Sequence, residues 1–315
     1  MKRLTALLLL VMLLPLSAAA HAGGGAHIAL SGGAEMTWVC GEPWHDPGYD
    51  AADANGEDLS ARVVTEGEVV PWRPDDYELH YVLLDGEGIL AEATRLVHVE
   101  AQTLPETVQP PKGTICLTFD DGPCEYTGEV LEVLAKYGVK ATFFVVANQT
   151  KYLHILPKIL EQGHTLGIHC YDHRTYEWMY KNEQNYFSDL LTAQEIVHDC
   201  TGQYAHVVRF PGGSRTASFL AASFPGGSEE MYRVMHEAGV RVYDWNVQPE
   251  RRTKTIEDTI IDFTHPKKPY EYAVVLQHDT RLFSVRALDS MIRWALAEGY
   301  TFAALDETFP EIHFC

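Results

Sequence analysis

From residue 114 onward the chain alternates short apolar runs with amphipathic ones, and this alternation is what most limits its fold. TICLTFD, ATFFVVA, TLGIHC, HVVRF, VRVYDW, YAVVLQH and TFAAL have the length and composition of strands. Between most of them lie stretches with helical spacing, such as TGEVLEVLAKYG, FSDLLTAQEIVHD and SVRALDSMIRWALAEG. A helix after each strand returns the chain to the same edge of the sheet, so repeated strand–helix units favour parallel strands. Seven strands of this kind predict an α/β fold, and they fit a distorted (β/α) barrel of about seven strands better than an open sheet.

The first hundred residues differ in character. HIALSG, EMTWVC, RVVTEGEVV, YELHYVLLD and ATRLVHVE are short, apolar or alternating, and are separated by turn-rich stretches such as DPGYDAADANGED and DGEG. No helical run interrupts them, which predicts a small all-β sandwich. The order of these segments resembles the bacterial Ig-like modules of secreted and cell-surface proteins. The stretch AQTLPETVQPPKG, rich in Pro and polar residues, reads as a linker. At the N-terminus, two basic residues, a short apolar run and small residues ending in Ala-His-Ala read as a secretory leader. The expected organisation is therefore a leader over 1–22, an Ig-like β-sandwich over 23–102, a linker over 103–112 and an α/β domain over 113–315.

Composition narrows the partners. The formal charge of the 315 residues is -20, and in the N-terminal segment 16 acidic residues face only Arg62, Arg73 and Arg95. A nucleic-acid partner would need a basic footprint and is excluded on that ground. No segment reaches membrane-spanning length. The leader makes a secreted, extracellular or cell-envelope location the expectation. In such a compartment the six cysteines, at 40, 116, 124, 170, 200 and 315, would be expected to form one to three disulfides.

The polar residues that interrupt the apolar strands fall at their C-terminal ends. Asp120 and Asp121 close the first strand, His169 closes TLGIHC with His173 four residues on, Arg209 interrupts HVVRFPGG, Asp244 ends VRVYD and His278 ends YAVVLQH. In a parallel barrel those ends converge on one face, where catalytic groups collect. Taken singly, each residue has a plain structural reading: a turn aspartate, a surface or core histidine, an ion-paired arginine. Five strands delivering ionisable groups to one rim is a different matter. Two adjacent aspartates would repel each other unless a positive charge sits beside them. One carboxylate and two imidazoles form a known catalytic metal set with open positions.

The same residues carry a resemblance. TFDDGP (118–123), HCYDH (169–173), RFPGG (209–213), YDWN (243–246) and LQHD (276–279) resemble, in order, the five motifs of the polysaccharide deacetylases, carbohydrate esterase family 4. The resemblance covers roughly residues 112–312. It implies that Asp121, His169 and His173 hold a divalent metal, usually zinc, with cobalt or another divalent ion as alternatives. It further implies Asp120 as general base, oriented by Arg209, and His278 as general acid, its pKa raised by Asp244. A backbone N–H of Gly212 would hold the oxyanion, and Trp245 and Leu276 would wall the acetyl methyl. The implied activity is deacetylation of N-acetylglucosamine units in a polysaccharide, peptidoglycan or a chitin-like polymer, with contact to the cell wall through the Ig-like module. Acetylxylan or another acetyl ester is the alternative substrate, and a non-catalytic glycan-binding surface protein the alternative class. Two positions depart from the pattern: Cys170 stands after the first histidine, as an inert small side chain, a disulfide partner (for instance of Cys124) or an unusual ligand, and Arg174 follows the second.

Overall fold

A computed structural model describes residues 25–86, 88–173, 176–251 and 255–314. The leader expected at 1–22, Arg174 and Cys315 lie outside the described residues. The chain divides into two compact units. The smaller holds the described residues up to Met36 with Asp46–Val69 and Tyr77–Val97; the larger holds Thr37–His45, Val70–Asp76 and the chain from His98 onward.

The N-terminal region is all β. Its strands are β1 (His27–Leu30), β2 (Glu35–Val39), β3 (Tyr49–Ala52), β4 (Val63–Glu66), β5 (Asp75–Asp85) and β6 (Gly88–Glu100). β1 pairs with β3, and a second sheet runs in the order β2-β6-β5-β4. In β5 the buried positions are Leu79, Tyr81 and Leu83, the period of two expected of a strand with one face inward. β3 was not expected, because YDAA sits inside a stretch dominated by turn residues. Arg95 is fully buried. It donates to the carbonyls of Ser31 and Gly48, each at 2.9 Å, and pairs with Asp46 at 3.1 Å.

In the larger unit all seven expected strands form. They are β7 (Thr114–Asp120), β8 (Thr142–Val146), β9 (Thr165–Cys170), β10 (Val207–Val208), β11 (Arg241–Val242), β12 (Tyr272–His278) and β13 (Thr301–Phe302). They make one parallel sheet in the order β11-β10-β9-β8-β7-β12, with β13 also on β7. The sheet curves as a distorted half-barrel flanked by helices. The main helices are α1 (Thr127–Tyr137), α2 (Glu183–Thr201), α3 (Gly227–Glu237), α4 (Ile256–Thr264) and α5 (Leu282–Ala297). Every residue of β7 and β8 is buried, as befits parallel strands covered on both faces. Gly167 is dictated by packing: a Cβ there would lie 2.7 Å from the Phe144 ring and 2.9 Å from Val207.

Cys40, Cys116, Cys124, Cys170 and Cys200 are free thiols, so the expected bridges do not form among the described cysteines. Neither Cys124 nor Cys170 is bridged. The Cys124 thiol instead donates to the Asp279 carbonyl at 3.3 Å, and Cys170 is buried at the end of β9. The apolar core makes a covalent brace unnecessary here.

Glu311 fastens the C-terminal segment to the sheet. It accepts from the Val242 amide at 2.7 Å and from His236 at 2.9 Å. Burial alone would raise its carboxyl, but these bonds and His313 outweigh that and hold it at about 2. Its contribution to stability is therefore present above the ordinary carboxylate range and is lost as pH falls towards 2.

Within the larger unit Trp72 stacks on Phe187, rings parallel and centroids 5.1 Å apart, while Arg73 donates to Glu183 at 2.6 Å. Trp72→Ala should lower the unfolding free energy by about 3–5 kcal/mol, the usual cost of deleting a buried tryptophan. Urea unfolding measures this directly. A change below about 1 kcal/mol would show the stack to be dispensable.

Candidate active site

Parallel register brings the polar strand ends to one level. His278, the last residue of β12, pairs with Asp120, the last of β7. His169 lies near the end of β9, and Arg209 and Asp244 follow β10 and β11 within two residues. At Asp121 the backbone turns into the left-handed region, with φ of 73°. The two adjacent carboxylates therefore leave the chain in different directions. Gly122 is required next, since a Cβ there would overlap the Asp279 carboxylate. Asp279 is buried and accepts from Thr127 at 2.6 Å.

Asp120 is buried and is bonded by Arg209 Nη1 at 2.9 Å. Arg209 has no exposed surface. It also donates to Thr118 Oγ1 at 2.5 Å and to the carbonyls of Tyr243 and Asp244 at 2.9 and 3.1 Å. Its guanidinium carbon lies 4.2 Å from the centroid of the Phe144 ring. Burial pushes the Asp120 carboxyl up, and the Arg209 cation opposes that rise without cancelling it.

Asp121, His169 and His173 converge. His169 Nε2 and His173 Nε2 lie 3.6 and 3.7 Å from Asp121 Oδ1, and one donor atom of each residue falls within 4.8 Å of the others. His169 Nδ1 donates to the Arg209 carbonyl at 2.7 Å, which leaves its Nε2 lone pair facing Asp121. Burial holds this imidazole well below its ordinary pKa, hence neutral. Asp121 Oδ1 is buried and accepts no hydrogen bond. A desolvated carboxylate oxygen without a donor, set between two imidazole nitrogens, fits a divalent cation.

His278 departs from expectation in its partner. Its Nδ1 donates to Glu250 Oε2 at 2.7 Å, and its amide donates to Glu250 Oε1 at 3.0 Å. Arg281 donates to the same carboxylate at 2.8 Å. Asp244 is committed elsewhere: it accepts from the Ser214 amide at 2.8 Å, the Ser214 hydroxyl and the Phe314 amide at 2.6 Å. The carboxylate paired with His278 is thus Glu250, not Asp244. Burial alone would lower the His278 pKa, but Glu250 reverses this and the net shift is upward. Glu250 carried one overlooked signal, a lone acid in NVQPE directly after a strand-end motif.

His278 Nε2 lies 3.8 Å from Asp121 Oδ2, so the imidazole faces the Asp121 cluster. Leu276 is buried on the same strand two residues earlier. Trp245 is half-buried, with its ring 5.7 Å from the Arg209 guanidinium. Gly212 has a φ of 76° in the loop after Arg209.

A parallel half-barrel with a carboxylate bonded to arginine, an Asp-His-His cluster and a carboxylate-paired histidine on one rim defines a hydrolase-type site. The comparisons give the family. The polysaccharide deacetylase profile matches residues 107–225 and the bacterial surface protein Ig-like profile residues 28–99. A peptidoglycan-N-acetylglucosamine deacetylase of Bacillus cereus is 30% identical over 209 residues, covering 63% of this chain and 70% of that protein. Among solved structures, the catalytic domain of a peptidoglycan N-acetylglucosamine deacetylase from Eubacterium rectale superposes with a TM-score of 0.61. It is 35% identical and covers 67% of this chain and 96% of that one. A polysaccharide deacetylase from Bacillus cereus gives a TM-score of 0.54 at 27% identity, covering 64% and 96%. The chain belongs to the polysaccharide deacetylase family, whose members are hydrolases.

The His278–Glu250 pair carries a pH prediction. Because the folded pKa is raised, the imidazolium persists to higher pH than an ordinary histidine. Glu250→Gln should move the basic limb of kcat/KM to lower pH, and a ¹⁵N NMR titration of His278 should shift the same way. The corresponding Asp244→Asn change should leave the limb in place. A shift in the Asp244 variant alone would reassign the pair.

Proposed function

We propose that the chain deacetylates N-acetylglucosamine units of peptidoglycan at the Asp121–His169–His173 site. The observation that carries this reading is the buried, unbonded Asp121 Oδ1 between two imidazoles, with Asp120 and His278 beside it. The family is in general metal-dependent. Asp121, His169 and His173 are the ligand set, and zinc is the expected ion. When bound there, a divalent cation supplies Lewis acidity towards the acetyl carbonyl and the attacking water.

The rest is work for the chain's own groups. Asp120, aimed by Arg209, takes a proton as water attacks the carbonyl carbon. The Gly212 amide donates to the developing oxyanion. His278, kept protonated by Glu250, gives its proton to the departing sugar nitrogen as the C–N bond breaks. Leu276 and Trp245 bound a small pocket for the methyl group, which suits acetyl over longer acyl chains. The leader residues at 1–22 and the match to a bacterial surface Ig-like profile support export and contact with the cell wall.

Acetate release from peptidoglycan, chitooligosaccharide and acetylxylan, with and without chelator and added Zn²⁺, tests the reading. Release from the first two that depends on the ion supports it, and release from acetylxylan alone overturns it. Asp121→Ala, His169→Ala and His173→Ala should each lose bound metal by elemental analysis, whereas Asp120→Asn should keep it and lose turnover. His278→Ala should cut the rate by roughly 10²–10⁴-fold, the range for a lost general acid.

A further inference from the structure

On a chain of charge -20, one cleft in the larger unit is cationic. It has a volume of about 850 Å³ and runs along the segment after β11, bounded by residues 262–270 and by the C-terminal segment. That is within the range of ligand pockets. Counting its histidines as neutral, three lining side chains are positive, Arg215, Arg251 and Lys267, and one is negative, Asp262. Among the described residues, Arg251 and Lys267 take part in no ion pair. Both side chains are exposed at the cleft, and neither charge is committed to a partner among the described residues of the fold.

The cleft adjoins the reaction site through two aromatic side chains. Trp245 lines it, and the Trp245 ring lies 5.7 Å from the guanidinium carbon of Arg209, which bonds Asp120. Phe314 also lines it, edge-on to Trp245 at 4.8 Å, and its amide is held by Asp244. Trp245 is thus shared between the cleft and the surroundings of the Arg209–Asp120 pair, which places the cleft on the side of the site assigned below to a neighbouring sugar.

We propose that the cleft is a subsite for a carboxylate carried by the residue next to the reacting N-acetylglucosamine. This rests on the glycan-deacetylase reading above and narrows it. In chitin the neighbouring sugar is uncharged. In peptidoglycan it bears a lactyl group, free or extended by a peptide, and so presents a carboxylate. Arg251 offers a planar pair of donors to such a group and Lys267 a compact charge. Asp262, which also lines the cleft, disfavours a second carboxylate beside it. The preference for peptidoglycan would thus be electrostatic.

Equilibrium binding separates this from the catalytic reading, because it needs no turnover. The full chain is titrated with chitobiose, with N-acetylglucosaminyl-muramic acid and with the same disaccharide bearing a dipeptide. The expected result is binding of one or both carboxylate ligands about tenfold more tightly than chitobiose, with the preference shrinking as salt rises. Whichever ligand is preferred identifies the lactyl or the peptide carboxylate as the source. Arg251→Gln/Lys267→Gln should remove the preference while leaving chitobiose binding, thermal midpoint and acetate release from chitooligosaccharide unchanged. Equal binding of all three ligands by the unaltered chain, or a preference that survives in the double variant, overturns the proposal. Failure of acetate release on every substrate would overturn the catalytic reading alone.

Discussion

A guanidinium with no access to water needs partners on all three of its nitrogens, and the centre of the site is organised around that demand at Arg209. Its donors reach a side-chain hydroxyl and a carboxylate at the end of β7 and two carbonyls after β11. Its own carbonyl accepts from His169 at the end of β9. One residue therefore fixes three strand ends relative to each other. Removing either member of a buried charge pair is far more damaging than the pair's net worth, because the survivor is left desolvated. The geometry of Asp120 and of the imidazole beside it is held with that stringency.

Two further charges are placed by the same rule and with opposite chemistry. Asp120 is a buried anion beside a cation, and His278 a buried base beside an anion. Desolvation pushes the two groups in opposite directions. At Asp120 it prevails over Arg209, while at His278 the Glu250 carboxylate prevails over it. In both cases the protonated form is favoured relative to an isolated side chain. Both groups thus move the same way, Asp120 by burial against its partner and His278 by its partner against burial.

How far the sequence discloses this arrangement follows from which parts are set by periodicity. Parallel strands buried on both faces are apolar throughout, so a polar residue at the end of one stands out. That is why Asp120, Asp121, His169, Arg209 and His278 could be placed on one rim from the sequence, and all seven strands with them. Loops carry no such period. Glu250 reaches His278 only because the chain after Trp245 runs alongside β12, with the Val247 carbonyl accepting from Leu276 at 2.9 Å. Nothing in NVQPE encodes that course. Asp244 sits at the expected strand end, but its carboxylate serves the Ser214 and Phe314 amides. β3 was hidden by its turn-rich surroundings, and the cysteines by the fact that compartment predicts permission for a bridge, not proximity.

The backbone at Asp121 leaves a mark on how this site can decay. A φ of 73° is comfortable for glycine and tolerable for asparagine and aspartate, but costly for most other side chains. Asp120, in ordinary strand geometry, is under no such restriction. A descendant that abandoned catalysis and kept the barrel would still be held at position 120 by the buried Arg209 cation, while position 121 would settle on asparagine or glycine. The two neighbouring positions would then be constrained differently after the loss of activity, one by charge and the other by backbone shape.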